Sequence, residues 1–212
     1  MGDMMFQHAS TPMSGRAALL ACAAALAVTG LGSSPAAAKS INTVRSWDGT
    51  SYVQPFGCPD TTTYGQVITV PQNETSLNKF TFRWINLNTG SMVVRGEVYA
   101  WDGTKATGSA LWESSPKKIQ YPDFVFHKRV FNPGSIAVTP GAQYVLFASI
   151  DKDYEKCTNS YELGWGLVTS GDAYPGGFFV YQNNSGDESQ WTTTAWSTFN
   201  PEDVAFHAFF SP

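Results

Sequence analysis

The chain has 212 residues, a formal net charge of −4 and a charged fraction of only 14%. A mildly acidic chain without clustered Lys and Arg does not suit nucleic acid, because neutralising phosphates requires concentrated positive charge. After residue 38 the chain has no run of the roughly 20 apolar residues that a membrane span needs. We therefore predict no membrane span in that part of the chain.

The N terminus has the organisation of a secretory signal peptide. Arg16 precedes an apolar run over residues 17–31, and the small residues Ala36–Ala38 follow. A basic region, a short apolar region and a small-residue ending are typical of export signals. We predict cleavage near Ala38 and a secreted or periplasmic protein.

The leader divides the chain into three parts. We predict a signal peptide over 1–38, a lead-in segment over 39–50 and one β domain over 51–212, a length that supports a core of its own. A lipoprotein signal with lipid on Cys22 is the alternative interpretation, although too little of the apolar run precedes that cysteine.

Two cysteines remain after the leader, Cys58 and Cys157. An even pair in an oxidising compartment most simply forms one disulfide bond. A metal or redox role is disfavoured because there is no C-x-x-C spacing and no adjacent histidine. We therefore predict a Cys58–Cys157 disulfide.

The mature chain consists of short alternating runs separated by Gly, Pro, Asn and Asp, a pattern typical of β-strands. In Leu77–Leu87, for example, Phe80, Phe82 and Trp84 share one face. The predicted strands are 66–70, 77–87, 92–101, 110–113, 124–131, 136–138, 143–150, 161–168, 178–182, 190–194 and 203–210.

Strands at this spacing predict an all-β fold, a two-sheet antiparallel β-sandwich or jelly roll, two forms that turn spacing does not separate. The run 203–210 is apolar on both faces, which predicts a strand inside a sheet. The predicted core includes Phe80, Phe82, Trp84, Tyr144, Leu146, Val204 and Phe206.

Motifs for catalysis are absent from the sequence. There is no G-x-S-x-G elbow, phosphate-binding loop or histidine pair at metal spacing. Two carboxylates across a cleft suffice for glycoside hydrolysis, and the candidates by residue type alone are Glu97, Glu113, Glu162, Asp172 and Glu202. We predict no enzymatic activity and no cofactor, with a glycan-active hydrolase as the less favoured alternative.

Two groups of charged residues are interpreted as ordinary solvent-exposed side chains. Asp151, Asp153 and Glu155 alternate in a loop and are weak candidates for a structural Ca²⁺ site, because Ca²⁺ takes 6–8 oxygen ligands; ordinary surface acids are the favoured interpretation. The basic pairs Lys117-Lys118 and Lys128-Arg129 are interpreted as solvated faces.

Aromatic residues in Gly- and Thr-rich surroundings are the remaining candidates for a site. Trp165, Tyr174, Trp191 and Trp196 lie in the C-terminal third, where little neighbouring bulk would cover them. Loops of a rigid sandwich are the usual place for binding residues. We predict that these four rings form a ligand-binding platform, with core packing as the alternative.

Seven short segments support a resemblance that spans roughly residues 62–210. They are Gly65–Val70, Leu77–Phe82, Val98–Gly103, Ala106–Gly108, Val138–Val145, Tyr174–Gly177 and Asp203–Phe206. Together they resemble secreted bacterial domains that often precede C-terminal sorting anchors. The resemblance implies a jelly roll of the carbohydrate-binding-module type and no established activity. The sequence departs from this resemblance at its C terminus, where no sorting helix or basic tail follows the last strand, so the resemblance does not extend to surface anchoring.

These observations favour a secreted, non-catalytic binding module for envelope or extracellular glycans. The alternative is a structural or adhesive cell-surface protein with protein partners. Neither nucleic acid nor a membrane is an expected partner.

Overall fold

The structure is a computed structural model that describes residues 39–59, 61–87, 90–120, 123–157, 162–199 and 202–212. Within them the chain forms two antiparallel sheets that enclose a shared core, which confirms the predicted two-sheet β-sandwich. The predicted leader, residues 1–38, lies outside the described residues, so its export role and the domain limits stay predictions.

The described residues contain fifteen strands and two short helices. The strands are β1 (Ser40–Asn42), β2 (Tyr52–Gly57), β3 (Thr63–Thr69), β4 (Ser76–Asn86), β5 (Met92–Trp101), β6 (Ala106–Glu113), β7 (Lys117–Ile119), β8 (Phe126–Phe131), β9 (Ile136–Ala137), β10 (Gln143–Ser149), β11 (Glu162–Val168), β12 (Phe179–Gln182), β13 (Ser197–Thr198), β14 (Asp203–Val204) and β15 (Phe206–Ser211). A 3₁₀ helix spans Asp151–Lys156 and an α-helix, α1, spans Gln190–Thr193.

The first sheet is centred on β4. On one side β4 pairs with β15 and β11, and on the other with β9 and β8. β1 extends the sheet beyond β15, while β2 and β14 pair with β11. The last strand thus lies between two neighbours, as its apolar faces predicted. The predicted lead-in contributes β1 as an ordered strand of this sheet.

The second sheet is centred on β10, which lies between β3 and β5. β12 and then β13 continue the sheet beyond β3, and β6 and β7 both pair with β5. All these pairings are antiparallel. Because successive side chains of a strand point to opposite faces, alternate side chains of each strand face the first sheet.

The core between the sheets follows the predicted alternation. Phe80, Phe82 and Trp84 of β4 are buried and face the other sheet. The predicted core is confirmed for all its members, Phe80, Phe82, Trp84, Tyr144, Leu146, Val204 and Phe206.

One predicted strand is wrong. Residues 190–194 begin with the single helical turn of α1, not a strand. The side chain of Asp187 accepts hydrogen bonds from the backbone N–H and the hydroxyl of Ser189, and a turn forms there. A run this short has too few residues for its periodicity to separate helix from strand.

The predicted disulfide is confirmed. Cys58 follows β2, Cys157 follows the 3₁₀ helix, and their Cα atoms are 6.2 Å apart. Both cysteines pack against the core, so the bond joins the beginning of the domain to its second half.

Candidate functional site

The predicted aromatic platform is wrong, because its tryptophans are buried. Trp165 is 0% exposed and lies between the sheets. Its ring centroid is 4.5 Å from that of Phe82 and 5.0 Å from that of Trp84, and it also contacts Phe56 and Tyr64. Trp165 is therefore the centre of an aromatic core cluster.

Trp191 and Trp196 are buried elsewhere, on the outer face of the second sheet. Trp191 packs against Tyr99 and Phe147, and its Nε1–H donates to the Asp151 carboxylate at 2.8 Å. The Trp196 Nε1–H donates to the backbone oxygen of Trp191 at 2.9 Å. Both rings cover a sheet that is apolar on both faces, so they form a second core.

Tyr174 is half-buried and holds its loop against β3. Its hydroxyl donates to the Thr69 carbonyl at 2.9 Å and accepts the Thr69 N–H at 3.0 Å. The following Gly177 lies so close to Val67 that a Cβ there would be 1.8 Å from the Val67 oxygen. The tyrosine and the glycine therefore serve loop packing, and the four predicted rings do not share a surface.

The two glycines beside Trp165 show why the predicted aromatic platform is wrong and which other aromatic rings lie on the surface of the sheet. Because neighbours on a strand face opposite ways, an inward Trp165 turns Gly164 and Gly166 outward. A Cβ on Gly164 would be 2.6 Å from the Tyr52 ring, and a Cβ on Gly166 would be 3.0 Å from the Trp47 ring. The glycines thus leave bare backbone on which two aromatic rings lie.

The Tyr52 ring belongs to a shallow groove of about 500 Å³ on the outer face of the first sheet, and Trp47 packs beside it against Phe126. We call it the aromatic groove, and it is lined by Gly49, Thr50, Tyr52, Ile85, Phe124, Val125 and Phe126. Tyr52 is 41% exposed, Phe124 66% and Val125 56%. Large exposed apolar side chains grouped in this way mark binding surfaces.

The floor of the aromatic groove is formed by side chains from several paired strands. Ile85 of β4 lies opposite Gly164 of β11 on one side and opposite Phe126 of β8 on the other. Trp47 packs edge-on against Phe126 with ring centroids 4.6 Å apart. The floor therefore rests on paired backbone and not on a free loop.

The rim near Trp47 is held by a hydrogen-bonded turn. The Asp48 carboxylate accepts the backbone N–H groups of Thr50 and Ser51, each at 2.7 Å, and the Ser51 hydroxyl. These bonds, with that of the Ser51 side chain foremost, lower the pKa of Asp48 to about 2. The Trp47 Nε1–H donates to the backbone carbonyl oxygen of Ser51 at 2.7 Å, and this bond fixes the orientation of the ring.

The opposite rim carries the most exposed ring. Phe124 has a positive φ of 53°, a conformation uncommon for a residue with a side chain. The neighbouring Asp123 carboxylate contacts His127 Nε2 and accepts the Val125 N–H. Strained backbone conformations of this kind cluster at functional sites.

Positive charge lies beside the groove on the same face of the first sheet. Arg83 of β4 lies opposite Lys128 of β8, two residues along the strands from the Ile85 and Phe126 pair. The pKa of His207 is lowered by burial and further by the charges of Arg45, Lys128 and Lys79. The surface therefore combines aromatic rings with cations.

The structure also brings together two of the carboxylates considered for glycoside hydrolysis. Glu97 of β5 lies opposite Glu113 of β6. Glu97 is 0% exposed, and burial raises its pKa to about 8 although Lys152 Nζ lies 3.7 Å from its Oε1. Burial opposes ionisation of Glu113 too, but hydrogen bonds from Lys152 and Arg95 outweigh it and lower that pKa. Because Glu97 is inaccessible, this pair does not offer a substrate a place to bind.

The raised pKa of Glu97 predicts a pH dependence of stability. Its ordinary pKa is 4.5 and its folded-state pKa about 8, so between these values the folded chain keeps a proton that the unfolded chain has lost. Stability contributed by neutral Glu97 is therefore present below pH 4.5 and lost as the pH rises toward 8, by an amount on the order of a few kcal/mol.

Glu97→Gln should flatten this decline, because Gln is neutral at every pH and has nearly the same shape. Urea unfolding at several pH values between 5 and 8 measures it. The control is Glu188→Gln, an exposed carboxylate whose Oε2 lies 3.6 Å from the same Lys152 Nζ. Equal pH profiles for Glu97→Gln and the wild-type chain would contradict the assignment.

The weak Ca²⁺ candidates do not converge. Asp151 is turned inward and accepts hydrogen bonds from Trp191 and Asn184. Asp153 is paired with Arg95 and Lys156, and Glu155 is exposed. Within the part of the chain that the structure describes, no group of three or more His, Cys, Asp or Glu is arranged to hold a metal ion.

No family model matches the chain, and the search of curated proteins found no match. Among solved structures it is similar to the cysteine protease and lectin-like domains of Cwp84, a surface layer associated protein of Clostridium difficile. The TM-score is 0.45 and the identity 10%, over 72% of this chain and 32% of that one, so the chain spans about a third of the length of that protein. A similarity of this size assigns no ligand or activity. None of the described helices is long and apolar enough to cross a membrane.

Proposed function

We propose that this protein is a secreted, non-catalytic binding module that holds a glycan in the aromatic groove. The observation that carries the proposal is the group of Tyr52, Phe124 and Phe126 that lines one groove on the outer face of the first sheet. Tyr52 and Phe124 are among the most exposed large apolar side chains of the described residues.

A pyranose ring suits this surface. Its axial C–H groups carry a small positive charge and form an apolar face, while the face of an aromatic ring is negative. Its hydroxyl groups point outward and stay hydrated or meet polar side chains. An open, shallow groove lined by rings accepts a saccharide without burying those hydroxyls, whereas a closed apolar pocket would leave them unsatisfied.

Export is the second part of the proposal. It is supported by the signal-peptide pattern over 1–38 and by the disulfide, a bond that persists in oxidising compartments. Secreted material should begin at Lys39, which N-terminal sequencing measures; a lipid-bearing N terminus at Cys22 would replace this account of the leader with the lipoprotein alternative.

Removal of a groove ring should weaken glycan binding without loss of the fold. Phe124→Ala and Tyr52→Ala are each expected to lower affinity about tenfold or more, a change that corresponds to about 1.4 kcal/mol. A glycan array on the mature domain identifies the ligand, and titration calorimetry with it measures the affinities.

The matched control is Leu111→Ala, which removes a side chain that is 43% exposed on β6 of the second sheet. Its affinity should equal that of the wild-type chain. An array without binders, together with capture of a surface protein through the same groove, would contradict the glycan proposal and favour the adhesive alternative.

A further inference from the structure

The backbone at the start of β1 contacts a buried acid. The N–H of Lys39 donates to Glu74 Oε1 at 3.3 Å, and Lys39 Nζ donates to the Gln72 carbonyl oxygen at 3.1 Å. Glu74 lies in the loop between β3 and β4 and is 1% exposed. A buried carboxylate therefore lies beside the nitrogen atom of the residue at which we predict that the mature chain begins.

The Glu74 carboxylate is only partly satisfied by the residues that the structure describes. Its Oε2 is buried without a hydrogen-bond partner among them, and none of the ion pairs between described residues includes Glu74. Burying a carboxylate is costly unless a cation pairs with it and hydrogen bonds satisfy its oxygens. The single N–H of Lys39 supplies one hydrogen bond and no charge.

The last strand holds both groups in this arrangement. The Phe210 N–H donates to the Lys39 carbonyl oxygen at 3.0 Å, and the Thr75 N–H, next to Glu74, donates to the Ser211 carbonyl oxygen at 2.9 Å. Phe210 and Ser211 are consecutive residues of β15. The position of the Lys39 nitrogen beside the carboxylate is therefore set by the first sheet and not by a free loop.

Removal of the leader would change the chemistry of this nitrogen. Within the uncleaved chain it is an amide with one hydrogen and no charge. Hydrolysis of the Ala38–Lys39 bond gives the hydroxyl of water to the Ala38 carbonyl carbon and a hydrogen to the Lys39 nitrogen. The product is an α-amine, which is mostly protonated at neutral pH because its ordinary pKa is about 7.7–8.0. The nitrogen then carries a positive charge and three hydrogens, enough to bond to both oxygens of Glu74.

We propose that cleavage of the Ala38–Lys39 bond creates an α-ammonium group that pairs with the buried Glu74 carboxylate and secures β1 on the first sheet. The cleavage site rests on the export part of the proposed function, while the ion pair depends on Lys39 and Glu74 alone. Among the described strands, β1 pairs with β15 over three residues, and the ends of a domain fray unless they are tied down. The mature domain is therefore more stable than the same domain within the precursor.

Two prepared forms of the domain test the ion pair, one that begins at Lys39 and one that begins at Ala38. The second keeps an amide at residue 39 and moves the ammonium about 3.8 Å along the chain. In urea unfolding, the Lys39 form should have a folded-to-unfolded ratio about tenfold or more above that of the Ala38 form, which corresponds to about 1.4 kcal/mol. With Glu74→Gln the two forms should be equally stable, because the amide keeps the shape of the side chain and has no charge.

Hydrogen exchange gives a local readout that needs no substitution. The Phe210 N–H is bonded to the Lys39 carbonyl oxygen, so it should exchange about tenfold more slowly in the Lys39 form than in the Ala38 form. The control is Glu155→Gln, which removes an exposed carboxylate on the 3₁₀ helix. It should leave the difference between the two forms unchanged.

The outcomes separate the ion pair from the rest of the account. Equal stability and equal Phe210 exchange in the two forms, or a difference that persists with Glu74→Gln, would overturn the ion pair. Secreted material that begins at another residue would overturn its formation by cleavage, whatever the two prepared forms show. Glycan binding is measured separately on the aromatic groove, and its failure would reject the proposed ligand while the ion pair stays in place.

Discussion

Trp165→Ala is expected to lower the free energy of unfolding by about 3–5 kcal/mol, the usual cost of removing a fully buried aromatic side chain. Trp165 contacts the rings of Phe56, Tyr64, Phe82 and Trp84. The neighbouring side chains fill the cavity only in part, because they come from paired strands of both sheets. Urea unfolding of the mature domain, followed by circular dichroism, measures the loss.

Phe124→Ala is the matched control for this substitution, because it removes an aromatic ring that is mostly exposed. Its effect on stability should stay within about 0.5 kcal/mol, as surface substitutions usually do. A loss below about 1 kcal/mol for Trp165→Ala would show that the ring is not a core member, and the inward orientation of Trp165 would be wrong.

Removal of the disulfide by Cys58→Ser with Cys157→Ser should have an effect of similar size. The bond joins residues that are 99 positions apart, a loop for which the chain-entropy model gives about 4–5 kcal/mol and comparable native bonds give about 2–5 kcal/mol. The double variant should unfold at a lower urea concentration than the wild-type chain. Reductant should shift the wild-type curve toward that of the variant.

The double variant itself provides the control, since reductant has no bond to break there and its curve should not move. A wild-type chain whose unfolding is indifferent to reductant would contradict the stabilising role of the Cys58–Cys157 bond. Peptide mapping without reductant would then show whether the two cysteines are linked at all.

The sandwich was predictable because short strands with alternating side chains recur between turns, most clearly in β4. In β4, Phe80, Phe82 and Trp84 alternate with polar residues such as Lys79 and Arg83. This alternation predicts which side chains face the core. The cysteine pair was predictable from the number of cysteines and the compartment. The helical turn α1 was not predictable, because it depends on hydrogen bonds that Asp187 accepts from Ser189 and Gln190 and on the packing of Trp191 against the second sheet.

The aromatic groove was not predicted because the exposure of a side chain depends on how the two sheets pack together. Trp165 between two glycines looks unprotected in the sequence, yet the alternation of the strand turns the tryptophan inward and the glycines outward. That same alternation was the available signal, since two outward glycines on a central strand predict that another element packs on them. The partners, Trp47 and Tyr52, come from a segment more than 100 residues earlier.

The two basic pairs are largely what the sequence predicted. Lys117, Lys118 and Lys128 are exposed and Arg129 is half-buried, so the interpretation as solvated faces holds for three of the four side chains.

The central claim is that the ligand binds on the outer face of the first sheet. Its most direct test is to map backbone amide shifts of the ¹⁵N-labelled mature domain during titration with the glycan that the array selects. We predict the largest changes at Tyr52, Ile85 and residues 124–126, which line the aromatic groove. Changes centred on residues 190–196 or on the loop of Tyr174, with the groove unaffected, would contradict the account.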